Sequence, residues 1–414
     1  MHSAGSQSEI ATLPGQDGPF PPDSTPQASA ELEPLVVAAD RALVRLDAAV
    51  ATLPAPEAFL AMHRRCEAIQ SCLIDGASAS LRDLIAAGSG SARSGRDDAR
   101  EAAVHCYRAI CAVIEDAGDK LLGTTALAEM HAILDPCRDA GTGSLEQFAL
   151  DLERCLDGGR DMADVVRVGL AQGRLEALQP FPGANGRLGR LLVPALAGRL
   201  KIPGALALGL SPFLSRHRAD YVDRVRGLQS AASWQPWVAF FLEGVAQSAT
   251  DSADAVRRFA AMREQHRAAV AANLGHAVGR GLRVLDCLFE QPDVTVADLM
   301  GITGTTYAAA NQLASRFAAL GILEESTGQR RNRLFRYGPY LRLFDSVAPP
   351  EPGMDTAAPR AAPTTIDQAA LPSGPAPKPR ANRNAERPRA KQPSARPEPP
   401  RPRRTMKYIS DDLL

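Results

Sequence analysis

The sequence predicts a mainly α-helical protein, in which a large helical bundle is followed by a smaller unit of three helices and a β-hairpin. Ala and Leu dominate a chain of 414 residues that is 45% hydrophobic, and both residue types favour helices. Aromatic residues make up only 5% of the chain, whereas sheets favour aromatic and β-branched side chains. Along most of the sequence the apolar residues recur every three or four positions, the period of one helix face. A chain of this length has room for two or three domains.

The N-terminal part divides into a disordered segment and a helical domain. Residues 1–29 are rich in Gly, Pro, Ser and Gln, a composition typical of disorder. Residues 30–275 form the predicted helical domain, because apolar residues recur there at helical spacing. Its helices are expected, in chain order, near 35–50, 59–69, 97–117, 125–135, 144–157, 161–178, 191–200, 212–229 and 234–270.

A second unit is predicted over residues 276–345. One helix carries Val284, Leu285 and Leu288, a short helix begins after the cap residue Thr295, and a third runs from Thr305 to Leu320. Two short strands around a basic turn then form a β-hairpin. This order of elements is that of a winged helix-turn-helix. The remainder, residues 346–414, is rich in Pro, Ala and Arg and is predicted to be disordered.

The charges are unevenly distributed, although the chain has 47 basic and 47 acidic residues. Between Lys378 and Lys407 there are eleven Lys or Arg and two Glu, so this stretch carries +9 and the rest carries −9. The basic tail is interpreted either as a solvated linker or as an arm that attracts nucleic acid or, through Met406–Leu414, binds a protein partner.

Membrane insertion and secretion are not expected. No run approaches 18 apolar residues, and the N-terminus has no apolar signal region, so a cytoplasmic protein without membrane partners is predicted. The oligomeric state stays open, a homodimer included.

The segment Gln179–Arg190, with the sequence Gln-Pro-Phe-Pro-Gly-Ala-Asn-Gly-Arg-Leu-Gly-Arg, is the most informative of the chain. Small residues run into a helix start, where unpaired backbone N–H groups and the helix dipole favour an anion. Arg187 and Arg190, three residues apart, converge on one side of that helix. Spacing alone permits a polyphosphate site or a capped helix start with two solvated arginines.

This segment resembles the signature loop of the Fic (Fido) family, His-Pro-Phe-x-(Asp/Glu)-Gly-Asn-Gly-Arg-x-x-Arg. The identical positions are Pro180, Phe181, Asn185, Gly186, Arg187 and Arg190. Upstream, Ser71-Cys-Leu-Ile-Asp75-Gly76 looks like the inhibitory helix of the family, Ser-x-x-x-Glu-Gly, with Asp in place of Glu. The resemblance extends over about residues 32–275, and many members carry a winged helix after that domain.

The resemblance implies a protein that transfers AMP from ATP to a hydroxyl of a target protein. It implies that Asn185, Gly186, Arg187 and Arg190 hold the nucleotide phosphates. It also implies that Asp75 is an inhibitory acid that pairs with Arg190, and that Ser71 belongs to the same inhibitory motif.

Four departures from the family pattern point away from catalysis. The base that takes the proton of the target is replaced by Gln179, and an amide has no usable basicity near neutral pH. The acidic ligand of Mg²⁺ is replaced by Gly183, and the first Gly of Gly-Asn-Gly is Ala184. In place of the β-hairpin flap that docks the target, Leu134–Val165 reads as a loop and one helix. We therefore predict a pseudoenzyme that uses no Mg²⁺, with ATP binding left open and active AMP transfer as the alternative.

The winged helix then becomes the candidate functional part, with DNA as its expected partner. Side chains of the third helix with hydroxyl, amide or guanidinium groups can meet phosphates or base edges, and arginines of the hairpin turn can meet phosphates. The candidates are Thr305, Thr306, Tyr307, Asn311, Gln312, Ser315 and Arg316 on the helix, and Arg330, Arg331 and Arg333 in the turn. A winged helix that mediates protein contacts, within an interaction scaffold, remains the other interpretation.

Overall fold

The computed structural model describes residues 20, 31–88, 98–115, 123–137, 144–157, 162–228, 234–328 and 333–344. These residues all lie in the first of two compact units of the chain, Met1–Met354. The second unit, Asp355–Leu414, and with it most of the predicted basic tail, lies outside the described residues. So do residues 1–29, with the exception of Phe20.

The chain is mainly α-helical, as predicted. Fifteen helices occur in the described residues: α1 (Glu33–Ala51), α2 (Pro56–Ile74), α3 (Leu81–Gly88), α4 (Asp98–Glu115), α5 (Thr124–Leu134), α6 (Leu145–Asp157), α7 (Asp164–Leu178), α8 (Asn185–Arg199), α9 (Ser211–Arg216), α10 (Arg218–Gly227), α11 (Trp234–Asn273), α12 (Val278–Glu290), α13 (Val296–Thr303), α14 (Tyr307–Ala319) and α15 (Gly338–Arg342). Among these, none combines the length and the apolar character needed to cross a membrane.

The core of the helical body forms around α7, α8 and the long helix α11. Two glycines of α7 let aromatic rings of α11 lie directly on its backbone. A Cβ at Gly169 would lie 2.6 Å from the Phe241 ring, and one at Gly173 would lie 2.6 Å from Trp237 Nε1. The indole N–H of Trp237 donates to the Gly169 carbonyl at 2.8 Å, which satisfies its polar atom inside the core. These contacts hold α7, which leads into the loop, closely against α11.

One predicted helix is interrupted. The stretch 212–229 was expected to be continuous, but α9 ends at Arg216 and α10 begins at Arg218, because His217 adopts φ −107° and ψ 34°. Beyond the break, Arg218 Nε donates to the Ile74 carbonyl at 2.7 Å. This hydrogen bond holds the last residue of α2, Ile74, immediately before Asp75.

The part of the chain predicted as a separate unit over residues 276–345, called the C-terminal unit below, contains the three predicted helices and the hairpin. It also contains a strand that the sequence did not predict. Strands β1 (Asp293–Thr295), β2 (Glu324–Glu325) and β3 (Leu334–Arg336) form an antiparallel sheet in the order β1-β3-β2. In the register, Val294 and Glu325 are both paired with Phe335. Thr295 caps α13 as predicted, through a reciprocal pair of hydrogen bonds with Asp298.

An aromatic cluster joins the C-terminal unit to the helical body, and we call it the aromatic junction. Its members are Phe59, Phe259, Phe289, Tyr337, Tyr340 and Phe344. Two polar contacts accompany it: Tyr340 donates to the Ala58 carbonyl at 3.1 Å, and the Tyr337 hydroxyl lies 2.7 Å from His266 Nδ1. Because these rings are buried, the C-terminal unit is packed onto α2 and α11.

Candidate functional site

The loop between α7 and α8 is closed by the side chain of its own Asn185. Phe181 N donates to Asn185 Oδ1 at 3.0 Å, and Asn185 Nδ2 donates to the Phe181 carbonyl at 2.6 Å. At the two ends of the loop Gln179 and Ala184 have positive φ, 44° and 57°. This conformation costs a non-glycine residue about 1–2 kcal/mol, so the loop is held in a strained shape by its contacts.

His131 braces the same loop from α5. Its ring stacks on Phe181 with centroids 4.1 Å apart, and its Nε2 donates to the Gly183 carbonyl at 3.0 Å. The imidazole is 1% exposed, so this contact is buried. The sequence placed His131 only on an apolar helix face, and nothing in the local pattern linked it to a residue 52 positions later.

Position 183 does not fit a magnesium ion. Gly183 has no side-chain oxygen, and its carbonyl accepts the hydrogen bond from His131. Mg²⁺ requires oxygen ligands, for which carboxylates are usual. Within the part of the chain that the structure describes, no three His, Cys, Asp or Glu side chains come together as metal ligands do.

Arg190 lies buried on α8 and is bound by the end of α2. Its Nε donates to Ser71 Oγ and its Nη2 to the Ser71 carbonyl, both at 2.8 Å. Nη2 also donates to Asp75 Oδ1 at 2.9 Å. Burial alone disfavours the charge of Arg190, but the neighbouring Asp75 raises its pKa above the usual value. The structure thus brings together Ser71, Asp75 and Arg190, although the inhibitory role of this contact remains a prediction.

Arg187 is directed at the same carboxylate. Its Nε lies 3.4 Å from Asp75 Oδ2, while Nη1 donates to the Leu134 carbonyl at 3.4 Å. The carboxylate also lies over the first turn of α8, since a Cβ at Gly186 would be 3.3 Å from Asp75 Oδ1. No side chain caps this helix start. Asp75 therefore occupies the side of the helix start where an anion would meet both arginines.

Two buried carboxyl groups, those of Glu67 and Glu176, lie near enough to Arg190 to feel its charge. Burial raises the pKa of Glu67 to about 7, and Ser211 donates to it through both its backbone N–H and its hydroxyl. Burial likewise raises the pKa of Glu176 to about 7, and this carboxyl accepts a hydrogen bond from the Tyr221 hydroxyl. Neither glutamate was singled out from the sequence, because their burial depends on helices distant in the chain.

We expect Glu67 to make the protein less stable as the pH rises from 5 to 7. Its folded-state pKa lies above the unfolded value, so the folded protein binds the extra proton and loses that advantage between about 4.5 and 7. The free energy of unfolding should fall by about 2 kcal/mol over this range through this group. When urea unfolding is measured at several pH values, the free energy of unfolding of Glu67→Gln should lack this part of the decrease with pH. Glu57→Gln, at an exposed position on the same helix, should retain it, and equal slopes in both variants would contradict the assignment.

The segment that replaces the expected hairpin flap is held by a buried ion pair. Helix α6 occupies most of its described part, as predicted, and no strand occurs in residues 134–137, 144–157 or 162–165. Asp151 of α6 accepts hydrogen bonds from Arg174 of α7 at 2.7 Å, and both side chains are at most 3% exposed. Arg174 also lies over the ring of Phe20, 5.2 Å from its centroid. Phe20 is thus packed, although it lies in a segment predicted to be disordered.

On α14 some of the predicted DNA-contacting residues are already engaged within the protein. The Thr306 hydroxyl caps the helix, and the Thr305 hydroxyl lies 2.7 Å from that of Thr303. Asn311 accepts a hydrogen bond from Arg333, whose guanidinium also lies 3.5 Å from Glu325. These contacts position α14 and the hairpin relative to each other.

The exposed face of α14 is formed by other candidates. Tyr307 is 54% exposed, and Gln312, Ser315 and Arg316 are also exposed. Arg330 and Arg331 lie outside the described residues. Gln312 and Arg316 are therefore the two described side chains whose amide and guanidinium groups face solvent from this helix.

Comparisons with known proteins give one family and a set of solved structures. Residues 34–110 match the family model described as Fic/DOC family N-terminal. A Fic family protein from Desulfovibrio desulfuricans G20 is 18% identical, with a TM-score of 0.44, over 73% of this chain and 96% of that one. A Fic domain-containing signaling protein from Bacteroides thetaiotaomicron is 14% identical, with a TM-score of 0.41, over 53% of this chain and 97% of that one. Fic-1 from C. elegans is 19% identical, with a TM-score of 0.40, over 57% and 76%.

Proposed function

The chain carries a Fic/DOC-family domain, and from this premise we propose that the domain is catalytically degenerate and that the protein acts as a DNA-binding regulator. The observation that carries the first half is the composition of the loop between α7 and α8. Gln179 stands at the position of the family base, and Gly183, whose carbonyl is bound by His131, stands at the position of the metal-binding acid.

Without the family base, the rate of AMP transfer should be much lower. A hydroxyl attacks a phosphorus centre well only if its proton is accepted, and the Gln179 amide accepts none near neutral pH. Losing a general base costs about 10²- to 10⁴-fold in rate. The same loop has no carboxylate at position 183, so two parts of the chemistry are lost together.

The arginine pair supports nucleotide binding as a separate property, and active AMP transfer remains the alternative function. Arg187, Arg190 and the uncapped start of α8 suit the phosphates of ATP. In the described arrangement Asp75 engages both guanidinium groups. Nucleotide would therefore bind only after Asp75 moves away, so weak binding without transfer is proposed.

We expect no label to be transferred when the protein is incubated with labelled ATP, Mg²⁺ or Mn²⁺ and cell lysate. Gln179→His alone should not restore transfer, because Gly183 still provides no carboxylate. Autoradiography of the separated proteins is the measurement. Transfer by the wild type that disappears in Arg187→Ala would overturn the pseudoenzyme proposal and favour the active alternative.

The second half of the proposal rests on the C-terminal unit, which we interpret as a winged helix-turn-helix. The pair α13 and α14, joined through Gly304–Thr306, supports this interpretation, together with the three-stranded antiparallel sheet whose strand β1 precedes the pair and whose strands β2 and β3 follow it. Gln312 and Arg316 are exposed on the second helix of the pair. An amide can pair with adenine, and a guanidinium with guanine or phosphate.

DNA binding by this unit should weaken with salt, and Arg316 should contribute to it. If Arg316 contacts a phosphate, Arg316→Ala should lower affinity for all sequences and reduce the slope of log affinity against log salt by about one. Gln312→Ala should instead narrow the gap between preferred and random DNA, by roughly 1–3 kcal/mol if the contact is bidentate. Fluorescence anisotropy measures both quantities.

The controls separate this unit from the basic tail. Arg257→Ala, at an exposed position of α11, removes one positive charge from the helical body and should leave the slope unchanged. A chain ending at Ser346 removes the tail, whose charge alone can retain DNA. If that shortened chain binds no DNA in low salt while the full chain does, the winged helix is not the part that binds DNA. The scaffold interpretation is then favoured.

A further inference from the structure

A cavity of about 230 Å³, lined by both polar and apolar groups, lies at the edge of the aromatic junction. Its lining comes from α2, α9, α11 and the end of the C-terminal unit. The residues that matter are His63, Ser248, Arg216, Asp251, Arg258 and Phe344. The volume equals that of about eight water molecules in the liquid, so the cavity has room for a small organic molecule.

Two buried polar atoms, on residues that line the cavity, lack a hydrogen-bond partner among the described residues. They are His63 Nε2 and Ser248 Oγ, on side chains that belong to residues only 8% and 4% exposed. Buried polar groups are nearly always hydrogen-bonded, and exceptions call for an explanation. A ligand in the cavity that reaches these atoms would satisfy both.

The histidine presents an acceptor to the cavity. The imidazole also makes a backbone hydrogen bond to Ala207, and because Nε2 has no partner we assign this bond to Nδ1, which then carries the proton. Burial lowers the pKa of His63 to about 4, so the imidazole is neutral at pH 7. His63 Nε2 therefore accepts, and the ligand must donate an N–H or O–H to it.

The rim of the cavity carries both signs of charge. Arg216 and Asp251 form an ion pair at 3.1 Å with both side chains about half exposed. Asp254, which pairs with Arg257, and Arg258 add one further charge of each sign. A polyphosphate would face two carboxylates there, and an apolar ligand would leave His63 and Ser248 unsatisfied. A molecule with one ammonium and one carboxylate group matches the rim.

We propose that this cavity binds a free α-amino acid whose side chain carries an N–H or O–H donor. The ammonium and carboxylate groups lie at the rim, against the aspartates and arginines. The side-chain donor reaches His63 Nε2, and Ser248 Oγ completes the polar contacts. The ligand also touches Phe344, whose ring packs at an angle against Phe59 and edge-on against Tyr340 in the aromatic junction. The inference does not depend on DNA binding, because its test measures the ligand itself.

Calorimetry of the full chain against the standard L-amino acids, one at a time, tests the proposal. At least one polar amino acid should bind. Its decarboxylated amine and its 2-hydroxy acid analogue, which lack one charge each, should bind at least tenfold more weakly. If no amino acid binds, or if the amine or hydroxy acid binds equally well, the proposed ligand class is wrong.

Variants at Ser248 locate the site. Ser248→Leu fills part of the cavity and should abolish binding, while circular dichroism checks the fold. Ser248→Ala removes a hydroxyl without a described partner, so the fold should persist and affinity should fall about fivefold. Thr250→Ala, whose hydroxyl bonds the Ala246 carbonyl away from the cavity, should change nothing. Unchanged affinity in both Ser248 variants would overturn the proposal, since the amino acid would then bind elsewhere.

Discussion

Arg174→Met should lower the free energy of unfolding by about 3–5 kcal/mol, which we expect to be the largest stability effect of a single substitution in the helical body. Asp151 is 1% exposed, and its carboxylate is bound by Arg174 at 2.7 Å. Removing the guanidinium leaves a buried charge with much less compensation, and it also removes the cation that lies over Phe20. Urea denaturation followed by circular dichroism measures the change.

The same carboxylate provides a matched control. Arg154 also contacts Asp151, at 3.3 Å, but its side chain is 59% exposed. Arg154→Met therefore removes an equal formal charge from the same partner where water already screens it, and should cost less than about 1 kcal/mol. If the two variants were equally stable, the buried pair would not be what holds α6 on α7.

The helical body could be predicted from the sequence because its signals are local. Apolar periodicity located α1, α2 and α4, and Pro54 marked the end of the first. The break at His217 has no such signal, since Arg216, His217 and Arg218 are all compatible with a helix. Strand β1 is only three residues long and exists through its pairing with β3, about forty residues later. Contacts of that kind leave no period in the sequence.

The candidate site was predictable to a different extent. The Ser71–Asp75 motif and the arginines implied a contact between α2 and α8, and the structure brings these residues together. Asn185, implied as a phosphate ligand, instead closes its own loop, and Asn311, expected to contact DNA, instead accepts a hydrogen bond from Arg333. Which partner a polar side chain takes depends on distances between elements, and these are set by packing rather than by local pattern.

Asp75→Asn should tighten nucleotide binding about a hundredfold. The carboxylate lies 2.9 Å from Arg190 Nη2 and 3.4 Å from Arg187 Nε, so phosphates must compete with it for both guanidinium groups. A like charge held against a bound anion costs several kcal/mol, and a hundredfold change corresponds to about 2.7 kcal/mol. Asn keeps the size of Asp75 and one acceptor oxygen, so the end of α2 should stay in place. Titration calorimetry with ATP, in the absence of metal ion, is the measurement.

Two further variants decide whether the gain arises at this site. Asp164→Asn removes a carboxylate that pairs with Arg167 at 3.4 Å on the surface of α7, and it should leave ATP affinity unchanged. Arg187→Ala in the Asp75→Asn background should reverse most of the gain, because that guanidinium is one of the two groups released. If the double variant binds ATP as tightly as Asp75→Asn, the nucleotide lies elsewhere. If Asp75→Asn binds no better than the wild type, whose own binding is measurable, Asp75 does not compete for the arginines and is not an inhibitory residue.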